Sequence, residues 1–251
     1  MTDDAPLIPV APPLPEHPDR WDIVRFILFF ILSLVLTVLI LIAIAAVLGG
    51  LPASGKMSDL TALQHGWLVV GISIAFYLSL AGSVWLAVVR RGRDPGRTLA
   101  FRPVRWFIPV LAGIGLVIFS VIVSLVANQF LKDIQPQVVE LMGDMIFSPL
   151  MIVIGLLVVG VLGPIAEEMF FRGLLFGWLR AHWPFWPTAI VTSALFGLVH
   201  GSLSYAVVAG ALGLMLAWLR ERSGSLWTSI AAHVINNLFA GGMAMLAASA
   251  M

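Results

Sequence analysis

The fold of this chain is constrained above all by a series of long apolar segments that are almost free of charge. The first three extend over about residues 26–48, 67–89 and 107–131. Each is long enough to cross a hydrocarbon core, which needs about 20 helical residues. Of the whole chain, 60% is hydrophobic and 11% is charged, whereas soluble domains carry roughly 25% charged residues. Lipid must therefore be the solvent for most of the surface.

The C-terminal half has a less regular pattern. One apolar stretch of about residues 145–179 contains Pro164 and two consecutive glutamates, and shorter apolar segments follow at about 187–200, 205–219 and 226–248. We therefore predict an all-α, polytopic transmembrane helix bundle with about seven spans. Three N-terminal transmembrane helices are expected in residues 23–131, and a catalytic core with about four in residues 132–251. Within that core, residues 132–144 mix apolar and acidic side chains, as an interfacial helix would.

The distribution of arginine predicts the orientation. Six arginines lie in residues 90–105, and others precede the first apolar segment or follow the fourth and sixth. With seven spans and a cytoplasmic N-terminus, all of these fall on the cytoplasmic side, as the positive-inside rule requires. The proline-rich residues 1–22 are predicted to be a disordered cytoplasmic tail. The formal net charge of +1 gives no reason to expect a nucleic-acid partner, whereas the apolar composition predicts membrane lipids as partners.

Several polar side chains interrupt the apolar segments of the second half. They are Glu167, Glu168, His200, His233 and Asn237. Ionisable groups at membrane depth are costly and usually face the interior of a bundle, where they have a function. At 1.5 Å per helical residue, Glu168, His200 and His233 each lie roughly 16–20 Å from the predicted cytoplasmic ends of their helices. Three helices thus bring polar groups to one level, which predicts a site within the bundle.

The spacing of these residues suggests their roles. Glu168 and Arg172 are four residues apart and can form an ion pair, whereas Glu167 points about 100° away and is available as a general base. His200 can orient a water, and His233 with Asn237 can stabilise an oxyanion. Alternatively, Glu167, His200 and His233 suffice as ligands for one divalent metal such as zinc, with a position left for water. The sequence leaves both mechanisms open, and no other cofactor is indicated.

The same residues resemble three motifs of the CPBP family of intramembrane endopeptidases, which includes the type II CAAX prenyl proteases and bacteriocin-processing, abortive-infection-like proteins. The family patterns EExxxR, FxxxH and HxxxN are matched by the segments 167–172, 196–200 and 233–237. The resemblance implies a glutamate-dependent protease of the bacterial cytoplasmic membrane that cleaves a peptide or membrane-protein substrate. It implies that Glu167 activates water with His200, and that His233 and Asn237 form the oxyanion site.

Two functions of other classes compete with the protease. A transporter or channel would use interior acids and histidines as an ion or proton pathway, but the chain lacks a clear internal repeat and its polar groups cluster at one level. A non-catalytic immunity or scaffold protein would keep the fold without activity. The intact motif residues argue against this second alternative.

Overall fold

The computed structural model describes residues 17–48, 62–89, 93–131 and 149–249. In these ranges the chain forms eight helices and no strand, which confirms the all-α prediction. The predicted interfacial helix at residues 132–144 lies outside the described residues, as does most of the predicted tail. The helices are α1 (Arg20–Leu48), α2 (Ala62–Val88), α3 (Pro95–Thr98), α4 (Phe107–Phe130), α5 (from Pro149 to Arg180), α6 (Phe185–Leu198), α7 (Leu203–Ser223) and α8 (Leu226–Ser249).

Helices long and apolar enough to cross a membrane make up most of the described chain. Five of the eight meet this condition: α1, α2, α4, α5 and α8. The shorter apolar helix α6 and helix α7 pack against each other and complete the bundle. Five long helices and this pair agree roughly with the predicted seven spans. Large apolar side chains are exposed on many sides of α1, as expected for a helix surrounded by lipid. The chain is an integral membrane protein.

Helix α1 begins at Arg20, three residues before the predicted start of the transmembrane region. The carboxylate of Asp19 accepts hydrogen bonds from the backbone N–H groups of Trp21 and Asp22, at 2.8 and 3.1 Å. Such a side chain satisfies donors that the first turn of a helix leaves without partners. The last residues assigned to the tail therefore form the capped start of α1.

Helix α5 lies at the centre of the bundle, in contact with α2, α7 and α8. In the most apolar part of α5, 44% of the residues are buried, compared with 6% in α1 and 11% in α4. Two stretches of α5, Val158–Leu162 and Met169–Leu175, are π-helical and flank the α-helical segment Gly163–Glu168. Single π-helical turns within α-helices occur frequently at functional sites. The glutamate pair ends the segment between them.

Helices α6 and α7 form a close hairpin. A β-carbon at Gly197 of α6 would lie 2.3 Å from the carbonyl oxygen of Ala206 in α7, so only glycine permits this approach. The connecting turn contains Gly201 with φ of 91°, and Ser202 caps α7 by accepting from the N–H of Tyr205. His200 belongs to this turn, two residues beyond the end of α6. The close packing of the hairpin therefore positions His200.

We expect Gly197→Ala to destabilise the protein, because its methyl group would push α6 and α7 apart. Overpacking of this kind typically costs about 1–3 kcal/mol. The matched control is Gly71→Ala in α2, where a β-carbon would meet no atom within 4 Å. Thermal unfolding in detergent should show a lower midpoint for Gly197→Ala and no loss for Gly71→Ala. An unchanged midpoint for Gly197→Ala would contradict the close approach.

Candidate active site

The glutamate pair of α5 has two different environments. Glu168 is fully buried, and its Oε1 accepts a hydrogen bond from Nη1 of the fully buried Arg172 at 2.7 Å. Arg172 also donates from Nη2 to the carbonyl of Gly213 at 3.0 Å, and its guanidinium lies 4.4 Å from the ring centroid of Phe196. The side chain of Glu167 remains 17% exposed. One carboxylate is thus part of a packed ion pair, while the other faces accessible space.

The imidazole of His233 lies between the two glutamates. Its Nδ1 is 3.2 Å from Oε1 of Glu168 and its Nε2 is 3.8 Å from Oε2 of Glu167. Because a carboxylate can only accept, Nδ1 carries the proton in the shorter contact. A buried carboxylate that holds one imidazole nitrogen fixes the tautomer and orientation of the ring. Glu168 therefore orients His233 in addition to pairing with Arg172.

His200 is oriented by its own backbone turn. Its Nδ1 lies 2.6 Å from the carbonyl oxygen of Phe196, four residues earlier. Since a carbonyl cannot donate, Nδ1 bears the proton and Nε2 is the acceptor nitrogen in the neutral ring. The imidazole packs on the ring of Phe196 at a centroid distance of 4.6 Å. The four-residue spacing of these two residues thus has a direct structural reason.

Asn237 of α8 compensates for a proline in α5. Pro164 has no N–H group, so a carbonyl about one turn before it loses its usual donor. The amide Nδ2 of Asn237 donates to the carbonyl of Val159 at 3.3 Å, within the first π-helical stretch. Neighbouring helices often satisfy backbone groups that a proline frees inside a membrane helix. This contact holds Asn237 against α5, on the same helix as His233.

A small polar cavity of about 40 Å³ connects these groups, which is enough for a water molecule. All the predicted site residues except the ion pair line it: Glu167, His200, His233 and Asn237. A second, mainly apolar groove of about 290 Å³ also reaches Glu167 and His200. These two side chains therefore form part of the wall between a polar cavity and an apolar groove.

Two tyrosines in the wall of the polar cavity were missed by the sequence analysis. The chain has two in total, and both Tyr77 of α2 and Tyr205 of α7 line the cavity, together with Asn236. Tyr77 also lines the apolar groove. A phenol within an apolar span was the available signal, because a buried hydroxyl usually needs a polar partner.

The predicted alternative of a metal centre finds no support in the geometry. Among residues 17–48, 62–89, 93–131 and 149–249, no group of three or more His, Asp or Glu side chains is arranged to hold a metal ion. We therefore derive no chemical step through a metal.

Comparison with known proteins finds similarity over the C-terminal part of the chain. Residues 149–239 match a family described as Rce1-like, type II CAAX prenyl endopeptidase. The Bacillus subtilis protein named "Putative membrane peptidase YdiL" is 35% identical over 91 residues, which are 36% of this chain and 36% of that protein. Over this segment the chain is similar to the Rce1-like family. The predicted resemblance to a family of membrane peptidases is thereby confirmed.

The Rce1-like segment covers part of the molecule. It includes α5 to α7 and the first half of α8, and the five predicted catalytic residues lie within it. The match spans about a third of the length of the Bacillus subtilis relative. An Escherichia coli protein named "Uncharacterized 24.3 kDa protein" is 28% identical over 176 residues, which are 68% of this chain and 75% of that protein. No solved structure matches the chain.

Proposed function

We propose that the protein is an intramembrane endopeptidase that hydrolyses peptide bonds of membrane-associated or peptide substrates with a water activated by Glu167. The observation that carries this proposal is the position of Glu167 and His200 in the wall shared by the polar cavity and the apolar groove. A water in the cavity and a substrate segment in the groove would meet at these two side chains. The match of residues 149–239 to the Rce1-like family supports the same activity.

The proposed reaction uses the observed hydrogen bonds. Glu167 takes a proton from water while the water oxygen bonds to the carbonyl carbon of the substrate, and Nε2 of His200 orients the same water as an acceptor. The electron pair of the carbonyl moves to its oxygen. Nε2 of His233, when protonated, and the amide of Asn237 donate to this oxyanion. Collapse of the intermediate breaks the C–N bond, and the proton held by Glu167 passes to the leaving amine.

The apolar groove gives the substrate a route from the lipid. It lies between α1, α2 and α5, and phenylalanines form much of its lining: Phe26, Phe30, Phe76, Phe170 and Phe171. The side chain of Phe76 is 41% exposed, so the groove reaches the lipid-facing surface. We propose that an apolar segment of the substrate occupies the groove in an extended form, because its scissile carbonyl then reaches Glu167 and His200.

The cleavage rate of the variant His200→Ala tests this proposal, and the chain offers a closely matched control. The control is His182→Ala, because Nδ1 of His182 also lies 2.8 Å from the carbonyl four residues earlier, that of Trp178, and its ring packs on an aromatic side chain. His182 lies outside the polar cavity. With the full chain in liposomes and a panel of peptides and membrane-protein substrates, we expect His200→Ala to lose about 10²–10⁴-fold in rate. His182→Ala should cleave as the wild type does.

Two further measurements distinguish the alternatives. A chelator should leave cleavage unchanged if Glu167 alone activates the water, and loss of activity that zinc restores would favour the metal mechanism instead. If the wild type cuts no substrate, while His200→Ala alters proton or ion flux across the liposome, the protease proposal fails and the transporter function replaces it.

A further inference from the structure

A second cavity lies at the arginine-rich end of the bundle, among the start of α1, the loop after α3, and the ends of α5 and α7. Its volume is about 240 Å³, and we call it the basic cavity. Arg102, Arg180 and Arg220 line it, and Glu221 supplies the only carboxylate among the described residues of its wall. Oε1 of Glu221 is already bound by Nε and Nη2 of Arg180, at 3.1 and 2.9 Å. The described residues of the wall therefore offer Arg220 no second carboxylate.

Arg220 is the least satisfied group of the basic cavity. Its Nε is buried and has no hydrogen-bond partner in the described part of the chain. The guanidinium of Arg102 lies in the same wall. An arginine side chain stays charged at neutral pH. Two adjacent guanidinium groups with a buried donor between helices form the chemistry that recognises phosphate.

The backbone that carries Arg102 is held firmly in place. The N–H of Leu226 donates to the carbonyl of Ala100 at 2.8 Å, and the hydroxyl of Ser225 donates to the carbonyl of Arg102. Ala100 has a φ of 60°, which is costly for a residue with a β-carbon. The start of α8 thus holds the loop in an otherwise unfavourable conformation, with Arg102 at the cavity.

We propose that the basic cavity binds a phosphate group, carried at this end of the bundle by an anionic phospholipid. Basic pockets between membrane helices are suited to such headgroups. Trp183 and Trp186 lie in and just after the turn that follows Arg180, and both are exposed. Tryptophan is enriched at the level of the headgroups, so the basic cavity lies where phospholipid phosphates are abundant.

The test compares Arg220→Gln with Arg222→Gln in the full chain. Arg222 lies two residues further along α7 and packs on Trp218; it does not line the basic cavity, so its substitution removes the same charge elsewhere. Thermal unfolding is measured in neutral detergent with added phosphatidylglycerol or phosphatidylcholine. At a hundredfold excess over Kd, a bound lipid should raise the midpoint by roughly 5–10 °C.

We expect phosphatidylglycerol to raise the midpoint of the wild type and of Arg222→Gln but not that of Arg220→Gln, and phosphatidylcholine to have a much smaller effect. Inorganic phosphate, compared with chloride at equal ionic strength, is the second arm. If it alone reproduces the full shift, the bound phosphate comes from solution and the lipid source is overturned. If Arg220→Gln does not fold, Arg102→Gln should lose the same shift. Three results would overturn the proposal. The midpoint of the cavity variants could rise as much as that of the wild type, Arg222→Gln could lose the rise as fully as they do, or the wild type could show no rise.

Discussion

Replacement of Glu167 by glutamine is expected to abolish peptide-bond cleavage while the helix bundle remains folded. An amide has nearly the shape of a carboxylate but cannot take the proton of the attacking water. The loss should reach at least the 10²–10⁴-fold that a general base typically contributes. Folding should tolerate the change, because Glu167 is 17% exposed and its nearest charge partner, Nε2 of His233, lies at 3.8 Å.

The measurement is the cleavage rate in liposomes together with the thermal midpoint of the same preparation. A suitable control is Asp94→Asn, which removes a carboxylate from an exposed pair with Arg97 and does not line the polar cavity. Exposed pairs of this kind contribute about 0–1 kcal/mol, so both rate and midpoint should change little. If Glu167→Gln retained the wild-type rate while folded, Glu167 would not be the base and the proposed mechanism would be wrong.

Replacement of Glu168 by glutamine, unlike that of Glu167, is expected to cause a large loss of stability. Both Glu168 and Arg172 have fully buried side chains, and removal of one partner leaves the other charge uncompensated. Breaking a buried pair typically costs about 3–5 kcal/mol. For a chain of this size the thermal midpoint should fall by roughly 6–20 °C. Circular dichroism during heating in detergent measures this change directly.

The double variant Glu168→Gln with Arg172→Met separates stability from chemistry. It removes both charges, and apolar replacement of a buried pair is often neutral for stability, so much of the lost midpoint should return. Cleavage should stay reduced, because His233 no longer has a carboxylate to hold its Nδ1 proton. Recovery of full activity together with stability would show that Glu168 acts through Arg172 alone.

The sequence predicted which residues belong to the candidate site better than it predicted the contacts between them. The spacing of Glu168 and Arg172 was sufficient for their ion pair, because a single helical turn determines it. The contact between Glu168 and His233 joins residues 65 positions apart and depends on how α5 and α8 pack. No local pattern contains that information. The family motifs brought both residues into one site without showing which nitrogen meets which carboxylate.

Irregular backbone explains the remaining differences. The sequence shows Pro164 within an apolar stretch, but the π-helical backbone of α5 and its hydrogen bond from Asn237 depend on packing against a neighbouring helix. Tyr77 lies outside the segment that matches the family, on helix α2, whose other residues are typical of an ordinary membrane span. The orientation of the chain in the membrane and the zinc alternative remain predictions that rest on charge distribution and ligand type.

The wall formed by Glu167 and His200 has a kinetic consequence for the proposed hydrolysis. One reactant, water, is present at the polar side at a concentration that hardly varies, whereas the other is dissolved in the two-dimensional phase of the bilayer. Turnover would then follow the mole fraction of substrate within the membrane instead of its amount per volume of suspension. Adding inert lipid at constant enzyme and substrate would slow the reaction by surface dilution, although every bulk concentration except that of lipid stays the same.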